Sequence, residues 1–191
     1  MGKVVHLAAV REFIAKTPVF RARDVELMVK DRAYTALLLH NLERKGEVQR
    51  IVKGWYTARG DPSVAVFAFR PAYLGLQGAL SIRDLWEQET NVVIVTCISV
   101  RPGVREILGS DAILHRLDAK YFFGVDYLGY GGIAMPVSDV EKTLIDLVYY
   151  RELPGTDVLR KLANEADEGK LREYLLRYPP RFRSAFRRLI S

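Results

Sequence analysis

Residues 31–56 read DRAYTALLLHNLERKGEVQRIVKGWY, and this stretch decides the fold of the N-terminal third. Asp31 is a plausible N-cap. From it, Leu38, Leu39 and Leu42, with Thr35 beside them, recur at helical spacing and define one apolar face of a helix reaching about Lys45. Gly46 is a C′-type stop. Residues 47–52 then alternate, Val48 and Ile51 against Gln49 and Arg50. Lys53-Gly54 supplies a two-residue turn, and Trp55-Tyr56-Thr57 returns as a second strand. A helix running into a short basic hairpin is the closing half of a winged helix-turn-helix.

The preceding residues fit that ending. Val5, Ala8, Ala9, Phe13 and Ile14 form a helical stripe over 4–16, and Thr17-Pro18 ends it. Val19-Phe20 is a short apolar strand candidate. Residues 22–29 predict a second helix with Val25, Met28 and Val29 inward. On the third helix the polar face carries Ala33, Leu37, His40 and Arg44, with Asn41 on its flank and Arg32 and Tyr34 in the first turn. The first turn of a recognition helix reaches base edges in the major groove. The expected DNA contacts are therefore Arg32, Tyr34, His40, Asn41 and Arg44 to the groove, and Arg50 and Lys53 from the wing to phosphates. Leu37 either touches a thymine methyl or packs against something else.

Composition supports a polyanion partner for this end. The net charge of +6 is uneven: residues 1–60 hold 12 Lys/Arg against 6 Asp/Glu, residues 61–150 hold 7 against 11, and residues 151–191 hold 10 against 6. A hydrophobic content of 49% is enough for a real core and speaks against wholesale disorder. The single cysteine, Cys97, excludes an intrachain disulfide framework or a cysteine zinc cluster. His6, His40 and His115 have no metal-ligand spacing. Arg11 and Glu12 break the N-terminal apolar run, so no signal peptide is read, and no run approaches a membrane span. A soluble, cytoplasmic protein is expected, with no membrane partner.

Beyond Gly60 the sequence predicts an α+β domain over 61–152. Residues 65–70 suit a strand or a short helix. Residues 74–83, LGLQGALSIR, predict a helix continuing to Trp86. Residues 91–100, NVVIVTCISV, are a buried strand. A turn or basic lobe follows at 104–109, then strands at 112–117 and 120–125, a loop or hairpin at 127–132, and a strand at 133–137. Ser138 and Glu141 have capping-box spacing at the start of the helix SDVEKTLIDLVYYRE. Residues 153–191 predict helices at 156–167 and 170–178, separated at Gly169, and a basic amphipathic helix at 181–190 that packs on the body.

No catalytic constellation is apparent. Gly129, Gly131 and Gly132 lack the Gly-Lys-Ser/Thr of a phosphate loop. Cys97 reads as a buried structural thiol, and His115 has no nucleophile nearby in sequence. Glu141 and Asp146 lie on different sides of their helix, and Lys142 suits surface ion pairs. Asp139, Glu141 and Asp146 suit a basic partner or the chain's own basic tail. No cofactor or metal is expected.

The winged-helix ending GEVQRIVKGWYT, the helix LGLQGALSIRDLW, the strand NVVIVTC and above all MPVSDVEKTLIDLVYYRE resemble the AbiEi family of antitoxins and transcriptional regulators over about residues 1–155. The resemblance implies a winged helix that represses its own promoter and a larger α+β domain linked to antitoxin activity against a nucleotidyltransferase-type toxin. The expected partners are double-stranded operator DNA, such a toxin or its target, and a second copy of the chain if the operator is palindromic. Two other classes stand beside this one: a nucleic-acid-processing enzyme targeted by its winged helix, and a winged-helix protein-interaction module.

Overall fold

The computed structural model describes residues 2–86 and 90–190, of residues 3–6 the helical backbone alone, so the sequence expectations for the Val5 and His6 side chains lie outside the description. The chain is α+β. It divides into two compact units, one of residues 1–68 with 106–110, the other of residues 69–105 with 111–191. The first unit thus runs past Gly60, where the sequence suggests a break, to Ala68.

In the first unit, α1 (Gly2–Lys16) is followed by β1 (Phe20–Arg21), α2 (Ala22–Val29) and α3 (Arg32–Arg44). The hairpin β2 (Gln49–Val52) and β3 (Trp55–Thr57) closes a small antiparallel sheet in the order β1-β3-β2. The carboxylate of Asp31 accepts the Tyr34 N–H, the N-cap expected of it. At the other end of α3, Gly46 takes a φ of +72° that a side chain would resist. The Gly46 and Glu47 N–H groups then close back on the carbonyls of Glu43 and Leu42. The core unites Val10 and Ile14 of α1, Val25 and Val29 of α2, and Leu38, Leu39 and Leu42 of α3 with Phe20, Val48 and Tyr56. Phe20 and Tyr56 face each other across β1 and β3, their rings stacked at 6.0 Å. The Thr57 hydroxyl donates to the Pro18 carbonyl, which ties the hairpin to the segment before β1. Residues Pro62–Phe69, ambiguous in sequence, form a 3-10 helix.

The second unit holds most of a mixed sheet in the order β6-β7-β5-β4-β9-β8, with Glu106 and Ile107 of β6 and Ser110 of β7 counted in the first unit. Its strands are β4 (Ala72–Leu74), β5 (Val92–Thr96), β6 (Gly103–Ile107), β7 (Ser110–Arg116), β8 (Val125–Tyr130) and β9 (Ile133–Ser138). β4 runs antiparallel to β5 and parallel to β9, and β5 runs parallel to β7. The helices are α4 (Leu76–Ile82), α5 (Val140–Tyr150), α6 (Thr156–Glu165), α7 (Glu168–Leu176) and α8 (Pro180–Ile190).

Several expectations for this unit are corrected. Residues 72–74 are a strand, so the predicted helix begins two residues later, at Leu76, and ends at Ile82. The expected turn at 104–109 contains strand β6. In place of the expected strand at 120–125, Ala119–Tyr121 form a 3-10 turn, because the Asp118 carboxylate accepts the Lys120 N–H, residues 122–124 are irregular, and the strand begins only at Val125. Gly169 lies inside α7 rather than between helices. Cys97 is half-buried just beyond the end of β5, not inside the strand.

The tail helices share one core with α5. Leu162, Leu175, Tyr178 and Phe186 pack with Tyr73, Leu80, Val93, Leu144 and Leu147. Tyr178 stacks on Tyr121 at 4.3 Å with rings almost parallel, and Phe182 stacks on Tyr178 at 4.7 Å. Such aromatic pairs add about 0.5–1.5 kcal/mol each beyond the area they bury. The basic C-terminal helix thus packs on its own chain through Phe182 and Phe186.

Candidate functional site

The first unit carries a cleft of about 620 Å3 framed by the start of α2, one side of α3 and the β2–β3 hairpin. On α3, Arg32, Ala36, His40 and Glu43 follow one another at spacings of four and three, so they line a single flank. The hairpin contributes Arg50, Lys53 and Trp55. Arg21 and Arg23 enter from the junction of β1 and α2. Five permanent cations therefore converge on one concavity, with the carboxylates of Glu26 and Glu43 also on its wall.

Local folding fixes these positions. Arg21 and Trp55 are directly opposed in the β1–β3 ladder, and the Arg21 guanidinium lies 4.4 Å from the centre of the Trp55 rings. The Arg21 N–H donates to Asp24 Oδ2 at 2.7 Å, and the Ala22 N–H to the Gly54 carbonyl at 3.0 Å. The turn at Gly54 and the start of α2 are thereby joined. Arg50 lies 3.7 Å from Glu43 and reaches over the Tyr56 ring. At the foot of the hairpin, Arg11 of α1 makes a two-pronged contact to Glu47, at 2.7 and 2.8 Å. The hydrogen bonds from Arg11 hold the Glu47 carboxyl below its ordinary pKa.

Of the seven sequence-predicted contact residues, Arg32, His40, Arg50 and Lys53 meet in the cleft. Arg44 is exposed on the last turn of α3, outside the cleft lining. Asn41 is half-buried on the other flank. Tyr34 is half-buried and packs against the core of the unit, so much of its ring is committed to packing. Leu37 is 56% exposed and is not part of that core. Arg21, Arg23 and Trp55 were not singled out from the sequence. The basic pair in FRARD was visible, but nothing local says that it folds against Trp55.

The second unit holds a polar cluster of a different kind. Lys142 and Asp146 are an ion pair with neither side chain exposed to solvent. The Tyr73 hydroxyl donates to Asp146 at 2.6 Å, and the Lys142 ammonium donates to the Tyr178 hydroxyl at 3.2 Å. The rings of Tyr73, Phe123 and Tyr178 surround the ammonium. Burial lowers the pKa of Lys142 and raises that of Asp146, while each charge opposes the shift of the other. Lys142 is therefore not a surface residue, as its charge suggested.

The start of α5 is also corrected. Its N-cap is Asp139, whose carboxylate accepts the Lys142 N–H, while Ser138 belongs to β9. Glu141 is buried and accepts the Asp167 N–H. Lys170 of α7 bridges Asp139 and Glu141 at 3.0 and 2.9 Å, and the Tyr174 hydroxyl donates to Asp139. The acidic start of α5 thus meets the chain's own tail. Gly124, at a φ of +66°, lies against this junction; a Cβ there would come within 3 Å of Lys142 and Tyr174.

His115 lies against Tyr150, 3.0 Å from Glu152, and burial holds its pKa below the ordinary value. Among the described residues, no three His, Cys, Asp or Glu side chains gather as metal ligands, and no helix is long and apolar enough to cross a membrane.

No protein-family model matches the chain, and no curated protein matches it. Among solved structures it is similar to the RV2827C protein from Mycobacterium tuberculosis, with a TM-score of 0.65 at 14% sequence identity. That likeness covers 97% of this chain and 76% of the other. At this identity it establishes a shared fold.

Proposed function

We propose that the chain is a DNA-binding transcriptional regulator whose first unit is a winged helix-turn-helix. In this reading α3 is the recognition helix, β2–β3 is the wing, and the protein represses its own promoter without enzymatic activity or a cofactor. The observation that carries it is the cleft in which Arg32 and His40 of α3 meet Arg50 and Lys53 of the hairpin. A duplex carries about one phosphate charge per 1.7 Å along its axis. A concave surface with that many cations beside an exposed helix flank suits it.

The second unit is the antitoxin part of the proposal, above all by resemblance of residues 135–152 to the AbiEi family. Its partner would be a nucleotidyltransferase-type toxin or the target of that toxin. A second copy of the chain joins the assembly if the operator is palindromic. The test of the regulatory role is binding of the full chain to the duplex upstream of its own gene, compared with a scrambled duplex of equal length. Preference for the upstream duplex supports the role, and equal or absent binding rejects it. Co-expression with a neighbouring nucleotidyltransferase-like gene tests the antitoxin role by rescue of growth.

A further inference from the structure

We infer that Arg21 and Arg23, at the junction of β1 and α2, form a second set of backbone-phosphate contacts facing those of the wing, with Arg21 pre-aligned on Trp55. The inference rests on the DNA-binding reading and adds contacts that α3 and the hairpin do not supply. Three observations carry it. Both arginines are exposed and line the same cleft as Arg32, Arg50 and Lys53. The backbone at Arg21 and Ala22 is held, the Arg21 N–H by the Asp24 carboxylate and the Ala22 N–H by the Gly54 carbonyl. The Arg21 guanidinium lies over the Trp55 indole at 4.4 Å, where its N–H groups remain available at the rim.

A lysine or arginine free in solvent loses rotamer freedom when it grips a phosphate. Arg21 has already given up part of that freedom by lying on the indole, so less is lost on binding. Among the described residues, neither Arg21 nor Arg23 forms an ion pair with a carboxylate, whereas Arg50 is shared with Glu43. Phosphate therefore meets no carboxylate already paired with these two side chains, although Glu26 and Glu43 share the cleft wall. The contact is independent of base sequence, so any duplex reports it.

The experiment uses the full-length chain and a fluorescently labelled 24-base-pair duplex of arbitrary sequence, titrated by anisotropy at salt concentrations from 50 to 200 mM. Each phosphate neutralised contributes about 0.9 to the slope of log affinity against log salt. Arg21→Ala and Arg23→Ala are each expected to reduce that slope by about one, and the double variant by about two. Arg21→Lys keeps the charge and is expected to keep the slope, which separates a phosphate contact from a folding defect. A control double variant in the other unit, Arg160→Ala with Lys161→Ala, removes the same charge and is expected to leave the slope unchanged. Wild-type binding with a slope that neither arginine variant moves overturns the inference while leaving DNA binding intact. Absence of wild-type binding to any duplex, the upstream one included, overturns the DNA-binding reading itself.

Discussion

Arg50 Nη2 lies 3.7 Å from Glu43 Oε2 across the flank of α3, so the hairpin cation is shared with a carboxylate of the helix beside it. If the proposed DNA binding holds, a phosphate arriving at Arg50 competes with Glu43 and is repelled by it. Glu43→Gln is therefore expected to tighten binding to the upstream duplex about two- to five-fold. That is the scale of an exposed ion pair, about 0.2–1 kcal/mol. Anisotropy at low salt measures it. Weaker binding would show that Glu43 aids recognition instead, for instance by accepting a hydrogen bond from a cytosine amino group.

Lys142 and Asp146 should behave as a unit. Lys142→Met leaves the Asp146 carboxylate buried without its cation, and the expected loss is about 3–5 kcal/mol. Lys142→Met together with Asp146→Leu removes both charges and is expected to recover most of that loss. Urea unfolding, followed by the far-ultraviolet signal, checks both. A single variant costing under about 1 kcal/mol would mean that the pair does not carry charge in the folded protein.

Glu141 and Lys170 make the attachment of α7 pH-dependent. Burial raises the Glu141 pKa, but the Lys170 ammonium and the Asp167 N–H outweigh it and hold the carboxyl below its ordinary value. A depressed carboxyl contributes stability that is present above the unfolded-state value, about 4.3, and is lost as pH falls through the folded value. Lys170 is raised above its ordinary value by the two carboxylates, against a burial effect that lowers it. Its contribution is complete below about pH 10 and fades as pH rises beyond that. The pair is thus fully present at pH 7. Glu141→Gln is expected to cost about 1.5 kcal/mol there, with Lys170 partly open to solvent. The difference from wild type should shrink as pH falls below the unfolded-state value and vanish once the folded carboxyl is protonated. Urea midpoints across this range test it, and a constant difference would contradict the assignment.

The stretch 31–56 was legible because its signals are local. The Asp31 cap, the left-handed stop at Gly46 and the Lys53-Gly54 turn each act within a few residues, and the α2 bounds follow similarly. Residues 118–125 misled because Tyr121, Phe122 and Phe123 look like strand residues, while Asp118 capping Lys120 decides the local conformation. Lys142 looked like a surface residue because charge usually is. Its i, i+4 spacing to Asp146 was visible, but the rings that enclose it come from positions 73, 123 and 178. The cleft was half-legible for the same reason. Helical spacing points to His40 and the first-turn position to Arg32, yet Arg21 meets Trp55 only through a strand pairing between distant segments. The first-turn position of Tyr34 suggests a base contact, but its ring packs on the core through residues distant in sequence.

The most direct measurement is the affinity of the full chain for its own upstream duplex as a function of salt, for wild type and for Arg32→Ala combined with Arg44→Ala. Binding that falls linearly in log affinity against log salt, and that weakens at least about tenfold in the double variant, is the predicted result. Affinity that does not change with salt, or that the double variant retains in full, would contradict α3 as the DNA-reading helix.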